Sequence, residues 1–350
     1  MTRRIDLRSD TVTLPTPAMR KAMYEAEVGD DVWGEDPTVV RLQEAAAERL
    51  GKEAALFVPS GTMGNLISLL AHCQRGYEVI LGNECHIFVY EAGAASVFGG
   101  LIYHTVPTTR FGELPLDEIK SAIRGPNVHF PPTGLICLEN THNRCGGTVI
   151  SPEYMRQVRE IADQHELPVH LDGARVFNAA LALGVDVREI AQYADSVMFC
   201  LSKGLSAPVG SLVCGSKAFI ERAYRMRKMA GGAMRQVGVI AAAGLVALNE
   251  MVDRQAKDHA NARLLAEGLA NIPGLSVDLE TVQTNMVMLY PTDPRWTTES
   301  LNAALTDAGV LTSYLGRTKM RAVTHYGIER SDIEEALDRI MAIAQRGPQG

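Results

Sequence analysis

No window of this 350-residue sequence reaches 18 uninterrupted apolar residues, so no membrane-spanning helix is expected. The six cysteines, Cys73, Cys85, Cys137, Cys145, Cys200 and Cys214, form no C-x-x-C pair and no zinc-type spacing. Several sit inside apolar runs, which fits buried thiols in a reducing compartment. No His/Cys/Asp cluster has ligand spacing, so metal chemistry has no support in the pattern. The start, MTRRIDLRSDT, lacks an apolar core after its arginines; no secretory signal and a cytoplasmic protein are expected. Lys and Arg number 34 against 41 Asp and Glu, and only residues 222–228 cluster them, which argues against nucleic acid or an anionic membrane as partner. There is no internal repeat and no low-complexity segment. Hydrophobic residues at 46% and charged ones at 21% are ordinary for a globular protein, and the length suggests about two domains.

What the sequence does have is concentrated between Leu167 and Gly215. The apolar run Leu167 to Leu171 stops at Asp172 and Gly173, and the run Ser196 to Leu201 stops at Lys203 and Gly204. Short apolar runs of this kind read as buried strands of a parallel sheet. A polar residue at the carboxyl end of such a strand stands where ligands bind in open α/β sheets. Lys203 has no other charge near it from Ser196 to Ser216, so its ammonium is partly desolvated, the setting in which a lysine becomes an amine nucleophile. An aspartate and a lysine separated by a helical segment suit pyridoxal phosphate (PLP). The lysine bonds the aldehyde and the aspartate keeps the ring nitrogen protonated. A structural Asp–Lys ion pair is the competing reading.

In chain order, residues 1–40 carry little hydrophobic periodicity and are expected to lie across the rest of the molecule or a neighbour. Ser9 and Asp10 read first as turn or cap residues, and Trp33 as an interface anchor. A helix is expected from Thr38 to Leu50, ended by Gly51. Next, ALFVPSGTMGN reads as strand, turn and helix, the helix running from Met63 to Cys73. The free N–H groups at its start, beside Ser60, Gly61 and Thr62, make a phosphate site or merely a cap. His86 begins the segment after the YEVILG strand, either as a structural residue or as an imidazole stacked on a planar ring. Helices are expected at Leu116 to Arg124, Met155 to His165 and Arg188 to Tyr193, with a strand at TGLICLEN. The alternation implies a mostly parallel sheet with helices on both faces. Strand SLVCG precedes a basic helix from Lys217 to Met229 and one long helix from Arg235 to Ala270, stopped by Pro273 and Gly274. Beyond it LSVDL, TNMVMLY, VLTSYL and KMRAVTHYG read as strands, and Ser300 to Ala308 and Asp332 to Ala344 as helices. Ser331 and Glu334 have capping-box spacing. Arg321, within a strand, is either an exposed edge residue or a carboxylate clamp. The expected domains are an arm at 1–37, a large domain at 38–272, a small one at 273–345 and a frayed tail at 346–350.

Taken together, LRSDT at 7–11, VGDDVWGEDP at 28–37, PSGTMGN at 59–65, ENTHN at 139–143, HLDGAR at 170–175, CLSKGLSAPVGS at 200–211, GGAMRQ at 231–236 and MRAVTH at 320–325 resemble the L-threonine aldolase family. The resemblance covers nearly the whole chain in matching order. It implies the type I PLP-dependent transferase fold, with a mostly parallel central sheet and a smaller C-terminal α+β domain. It also implies retro-aldol cleavage of threonine or allo-threonine to glycine and acetaldehyde. Lys203 becomes the Schiff-base lysine, Asp172 the ring-nitrogen partner, Ser60, Gly61 and Thr62 the phosphate cradle, and His86 the residue stacked on the ring. Arg175 would face the ring's phenolic oxygen and the substrate carboxylate, with Ser9 and Arg321 completing the clamp. Arg235 would reach a phosphate in a neighbouring subunit, which implies a homo-oligomer, typically a tetramer built from dimers.

Two departures stand out. Trp33 replaces the usual tyrosine, and Ser206 stands where glycine is common. Tyr90 and His129, in HIFVYEA and PNVHF, look most similar to members acting on L-allo-threonine. His86, His129 or a water they hold remain candidates for the base. Alternatives in the same fold are β-elimination and transamination. A non-catalytic PLP-binding protein is a further alternative.

Overall fold

The computed structural model describes residues 3–347. The N-terminal arm is more structured than its weak periodicity implies. Strand β1 (Ile5–Asp6) is followed by a 3-10 turn at Asp10–Val12, helix α1 (Pro17–Tyr24) and a second 3-10 turn at Asp31–Trp33. Thr16 caps α1 and a proline occupies its first turn, where a missing N–H costs nothing. Helix α2 (Pro37–Leu50) starts on the Asp36 cap and ends at Gly51, whose φ of +65° only glycine takes readily. Val39, Leu42, Ala46 and Leu50 form its buried stripe as expected.

The chain then alternates through β2 (Ala54–Val58), α3 (Gly61–His72), β3 (Glu78–Gly82), the short helices α4 (His86–Val89) and α5 (Ala94–Gly99), β4 (Ile102–Val106), α6 (Leu116–Ala122) and β5 (Thr133–Glu139). It continues through α7 (Pro152–Gln164), β6 (Val169–Asp172), α8 (Val176–Leu183), α9 (Val187–Ala191), β7 (Ser196–Cys200) and β8 (Ser211–Gly215). The seven strands β2 to β8 form one sheet in the order β2-β8-β7-β6-β5-β3-β4. Every pairing is parallel except those of β8, which runs antiparallel to both β2 and β7. Apolar clusters cover the sheet, and β7 is buried at all five positions, so its sequence has no polar alternation.

Helix α10 (Lys217–Met229) follows. The single long helix expected next is divided into α11 (Gly238–Val246), a π-turn (Ala247–Met251) and α12 (Gln255–Ala270). Its start is displaced from Arg235 because the arm ties down that stretch: the Asp31 N–H donates to the Arg235 carbonyl, and the Gly238 N–H to Asp36 Oδ2. The wide turn brings Leu248 and Met251 into the core.

The C-terminal part packs around a second apolar cluster. It contains β9 (Leu275–Ser276), β10 (Met286–Pro291), α13 (Thr298–Asp307), β11 (Val310–Leu311), β12 (Ser313–Tyr314), β13 (Met320–Val323) and α14 (Arg330–Arg346). An antiparallel sheet runs β12-β13-β10-β9. The segment expected as one strand, VLTSYL, splits, because β11 pairs with β1 of the arm while β12 pairs with β13. The capping box of α14 is Glu329 with Asp332, not Ser331 with Glu334, since the helix begins at Arg330. Arg346 is the last residue of that helix and not part of a frayed tail; residues 348–350 lie outside the described residues. Among the described residues no helix is long and apolar enough to cross a membrane.

Candidate active site

The carboxyl ends of the parallel strands converge on one edge of the sheet, and most of the residues singled out by sequence gather there. After β2, Ser60 caps α3, its side chain accepting from the Met63 N–H. Helix α3 thus opens one residue pair earlier than expected, at Gly61. A Cβ on Gly61 would stand 2.9 Å from Cys200 Sγ, so glycine lets the helix start pack on the end of β7. Ser60 and Thr62 are exposed there. Free N–H groups, the positive end of the helix dipole and two hydroxyls make this an anion site in the making.

Asp172 ends β6 and is buried. Its Oδ2 accepts from Asn65 Nδ2 at 2.9 Å and its Oδ1 from the Ala174 N–H at 3.1 Å. The competing Asp–Lys pair is not formed: none of the ion pairs among the described residues joins Asp172 to Lys203, and Asp172 is held by Asn65 and the backbone. Beside it, His86 begins α4. Its Nδ1 lies 2.9 Å from Glu91 Oε1, and its backbone N–H donates to Glu139 Oε2 at 2.6 Å. Burial alone would depress the His86 imidazole. The Glu91 hydrogen bond and the nearby Asp172 and Glu91 charges outweigh it and hold the group above its ordinary value. Burial pushes the Glu91 carboxyl up, against hydrogen bonds from His86 and Asn65.

Lys203, half-buried in the loop after β7, opens into a cavity of about 280 Å3. Its carbonyl accepts from Thr13 Oγ1 at 3.1 Å, which ties the arm to the lysine loop. Nearby Ser206 has φ +64° and is buried. The preference for glycine at this position is therefore conformational. Ser9, Thr11, His86, Tyr90 and Asn143 share the cavity with Arg175, Ser313, Leu315 and Arg321. Ser9 does both things its sequence suggested: its hydroxyl caps the Asp10–Val12 turn, accepting from the Thr11 N–H, and it lines the cavity. Arg321 is an inward residue, not an exposed edge one. Its Nη1 donates to Asn143 Oδ1 at 2.6 Å and its Nη2 to the Arg8 carbonyl at 3.2 Å, while Nε is buried with no partner. Burial, then the Arg175 charge, lowers the affinity of this guanidinium for its proton. Both features favour an incoming carboxylate.

Three expectations change. Arg175 lines the cavity, but its Nε and Nη2 are taken by Asp10 at 2.6 Å each. Asp10 is thus a fully buried ion-pair partner and not a turn residue only. Burial would raise its pKa, but Arg175, with Lys203 and Arg321 beyond, holds it well below the usual carboxylate range. His129 is not in its own chain's cavity: it is exposed in the loop entering β5, at the amino end of the strands. Arg235, expected to serve a neighbouring subunit, is exposed outside its own chain's cavity and paired with Asp30 at 2.9 Å. Asn65, Glu91, Glu139 and Asn143 had no role assigned from sequence, although all four lie in stretches quoted above.

The residues fit PLP. The buried Asp172 oxygens suit a ring nitrogen, Lys203 faces the cavity without an ion pair among the described residues, and the open start of α3 suits a phosphate. Fold and site together define an enzyme of the type I PLP-dependent fold, and the profile of the beta-eliminating lyase family matches residues 6–292. The chain is 52% identical over 339 residues to low-specificity L-threonine aldolase 1 of Arabidopsis thaliana, covering 96% of this chain and 95% of that protein. It is 45% identical over 331 residues to the low specificity L-threonine aldolase of Escherichia coli K12, covering 95% and 96%. The solved threonine aldolase of Leishmania major matches with a TM-score of 0.83 at 20% identity, over 97% of this chain and 99% of that one, a likeness of fold. The chain belongs to the low-specificity L-threonine aldolase family.

Proposed function

We propose that this chain cleaves L-threonine, L-allo-threonine and related β-hydroxy-α-amino acids reversibly to glycine and an aldehyde, with PLP as its cofactor. The observation that carries the reading is the convergence of Lys203, His86 and Arg321 on one cavity, with Asp172 buried behind it. When bound, PLP supplies an electron sink for the pair released from the Cα–Cβ bond. Lys203 would hold its aldehyde, Asp172 its ring nitrogen, His86 its ring face, and Ser60, Gly61 and Thr62 its phosphate.

The chain's own groups do the rest. Arg321 and Ser9 bind the substrate carboxylate, and Arg175, steadied by Asp10, adds positive charge beside them. Fixing the carboxylate sets the Cα–Cβ bond in one orientation. With Nδ1 hydrogen bonded to Glu91, His86 keeps Nε2 for the β-hydroxyl proton. As that proton leaves, the Cα–Cβ bond breaks and acetaldehyde departs; Cα then regains a proton and glycine is released. Tyr90, lining the same cavity, bounds the space for the β-substituent.

The reading extends to a homo-oligomer, a tetramer built as a dimer of dimers, in which His129 and Arg235 serve a neighbouring subunit's site. Its support is that both are exposed and outside their own cavity, and that Trp33 is 76% exposed. It also takes the arm as 1–37, the large domain as 38–272 and the small one as 273–345, supported by two separate apolar cores. Six unpaired thiols support the cytoplasm as its compartment. The test is an assay of the purified protein with PLP and each substrate. Acetaldehyde and glycine in equal amounts are expected; ammonia with a keto acid would refute the reading.

A further inference from the structure

Behind Asp172 runs a line of buried polar side chains that the chemistry above does not use. Asn65 and His72 are seven residues apart on α3, hence on one face of it, and that face meets β6 and β7. Asn65 is 1% exposed, and its amide is fully engaged. Nδ2 donates to Asp172 Oδ2 at 2.9 Å and to Glu91 Oε1 at 2.8 Å, while Oδ1 lies 3.0 Å from His170 Nε2. His170 Nδ1 is 2.8 Å from Ser196 Oγ, and His72 Nε2 is 2.8 Å from the same oxygen. His170 and Ser196 are fully buried neighbours in register on adjacent strands.

Only one placement of protons satisfies these contacts. Two carboxylate oxygens accept from Asn65, so both of its N–H groups point at them and its oxygen faces His170. That oxygen requires a proton on His170 Nε2. Burial pushes the His170 imidazole down to about 3, so the ring is neutral and Nδ1 is bare. The Ser196 hydroxyl therefore donates to Nδ1, and its oxygen accepts from the His72 Nε2–H. Burial likewise lowers His72, to about 4. The chain of donors runs one way, about 10 Å along the helix, and ends on the two acids of the site.

We propose that Asn65 is a positioning residue that locks Asp172 and Glu91 to each other, and that His170, Ser196 and His72 fix which way its amide points. Asp172 is the partner of the ring nitrogen and Glu91 the partner of His86. One amide thus couples the group that tunes the cofactor to the group that orients the base. A flipped amide would set its oxygen against two carboxylates. This rests on the PLP reading above.

The test uses the PLP-loaded enzyme and compares wild type with His170→Phe, which leaves Asn65 free to flip, and His170→Gln, which keeps a donor facing it. The readouts are PLP affinity, the pH titration of the bound cofactor's visible absorption, and kcat and KM. For His170→Phe, PLP affinity and kcat each fall about 10- to 100-fold, the fold-change of a lost hydrogen bond to a charged group. The titration midpoint moves, and KM changes by less than about threefold because the carboxylate clamp is untouched. His170→Gln returns all three toward wild type. Equal damage in both variants, or a wild-type titration and affinity in His170→Phe, would overturn the proposal. Should His170→Phe not fold, Ser196→Ala carries the same test: a shifted titration supports the relay and an unshifted one refutes it. A wild-type protein that binds no PLP refutes the functional reading instead, which separates the two failures.

Discussion

The two walls of the cavity are built differently. On the sheet side, Asp172, Glu91, Asn65 and His170 are buried and joined by hydrogen bonds between side chains that strands and helices hold in place. On the other side, Ser9, Ser313 and Arg321 are partly exposed, and Arg321 is held by one side chain and one backbone carbonyl from other segments. On the proposed reading the sheet wall carries the cofactor chemistry, where misplacement alters rate, and the other wall grips a substrate that must enter and leave. Rigidity is thus placed where electrons move and looser support where ligands exchange.

That contrast can be broken by substitution. Lys203→Ala is expected to lower kcat by at least about a thousandfold, since among the described residues no other amine lines the cavity, whereas Arg321→Ala should raise KM by about 100-fold with a smaller loss in kcat. Steady-state kinetics with L-allo-threonine measures both; a larger kcat effect than KM effect in Arg321→Ala would erase the distinction between the walls. Asp10→Asn leaves the buried Arg175 charge uncompensated and should destabilise the protein by about 3–5 kcal/mol in urea unfolding at neutral pH. Because the folded-state pKa of Asp10 is depressed, its stabilisation is fully present above the unfolded value, near about 4, and is lost as pH falls through the folded one. The destabilisation by Asp10→Asn should accordingly shrink in acid.

Glu91→Gln tests the sheet wall more finely. His86 is held above its ordinary pKa, so as a base it is competent only at pH above that raised value. Removing the Glu91 charge should move the acid limb of the kcat/KM profile to lower pH. An unmoved limb would remove His86 as the base. The smallest effect concerns the lysine loop: Ser206→Gly relieves a left-handed backbone and should add about 1 kcal/mol of stability, read as a shift in the urea midpoint.

How much of this was legible in sequence follows the same division. Asp172 and Lys203 announced themselves because each stops an apolar run, a local signal. Six of the seven strands of the large sheet, all but the partly exposed β4, were legible for the same reason. Asp10 was not, since its partner Arg175 is 165 residues away and nothing local separates a buried acid from a turn acid. Asn65 reaches Asp172 across 107 residues, and its neighbours in PSGTMGN suggested only a phosphate turn. Glu91 follows His86 by five residues, but only the short α4 brings the two together. Sequence spacing also could not place His129, because which end of a strand a loop occupies is a property of topology. The displaced start of the long helix escaped for a related reason: the arm's hydrogen bond to the Arg235 carbonyl is long-range.

The most direct measurement is borohydride reduction of the PLP-incubated protein, followed by peptide mass spectrometry. The cofactor's mass is expected on the peptide containing Lys203 and on no other. Attachment at a different lysine, or no attachment, would contradict the assignment of this cavity as the PLP site.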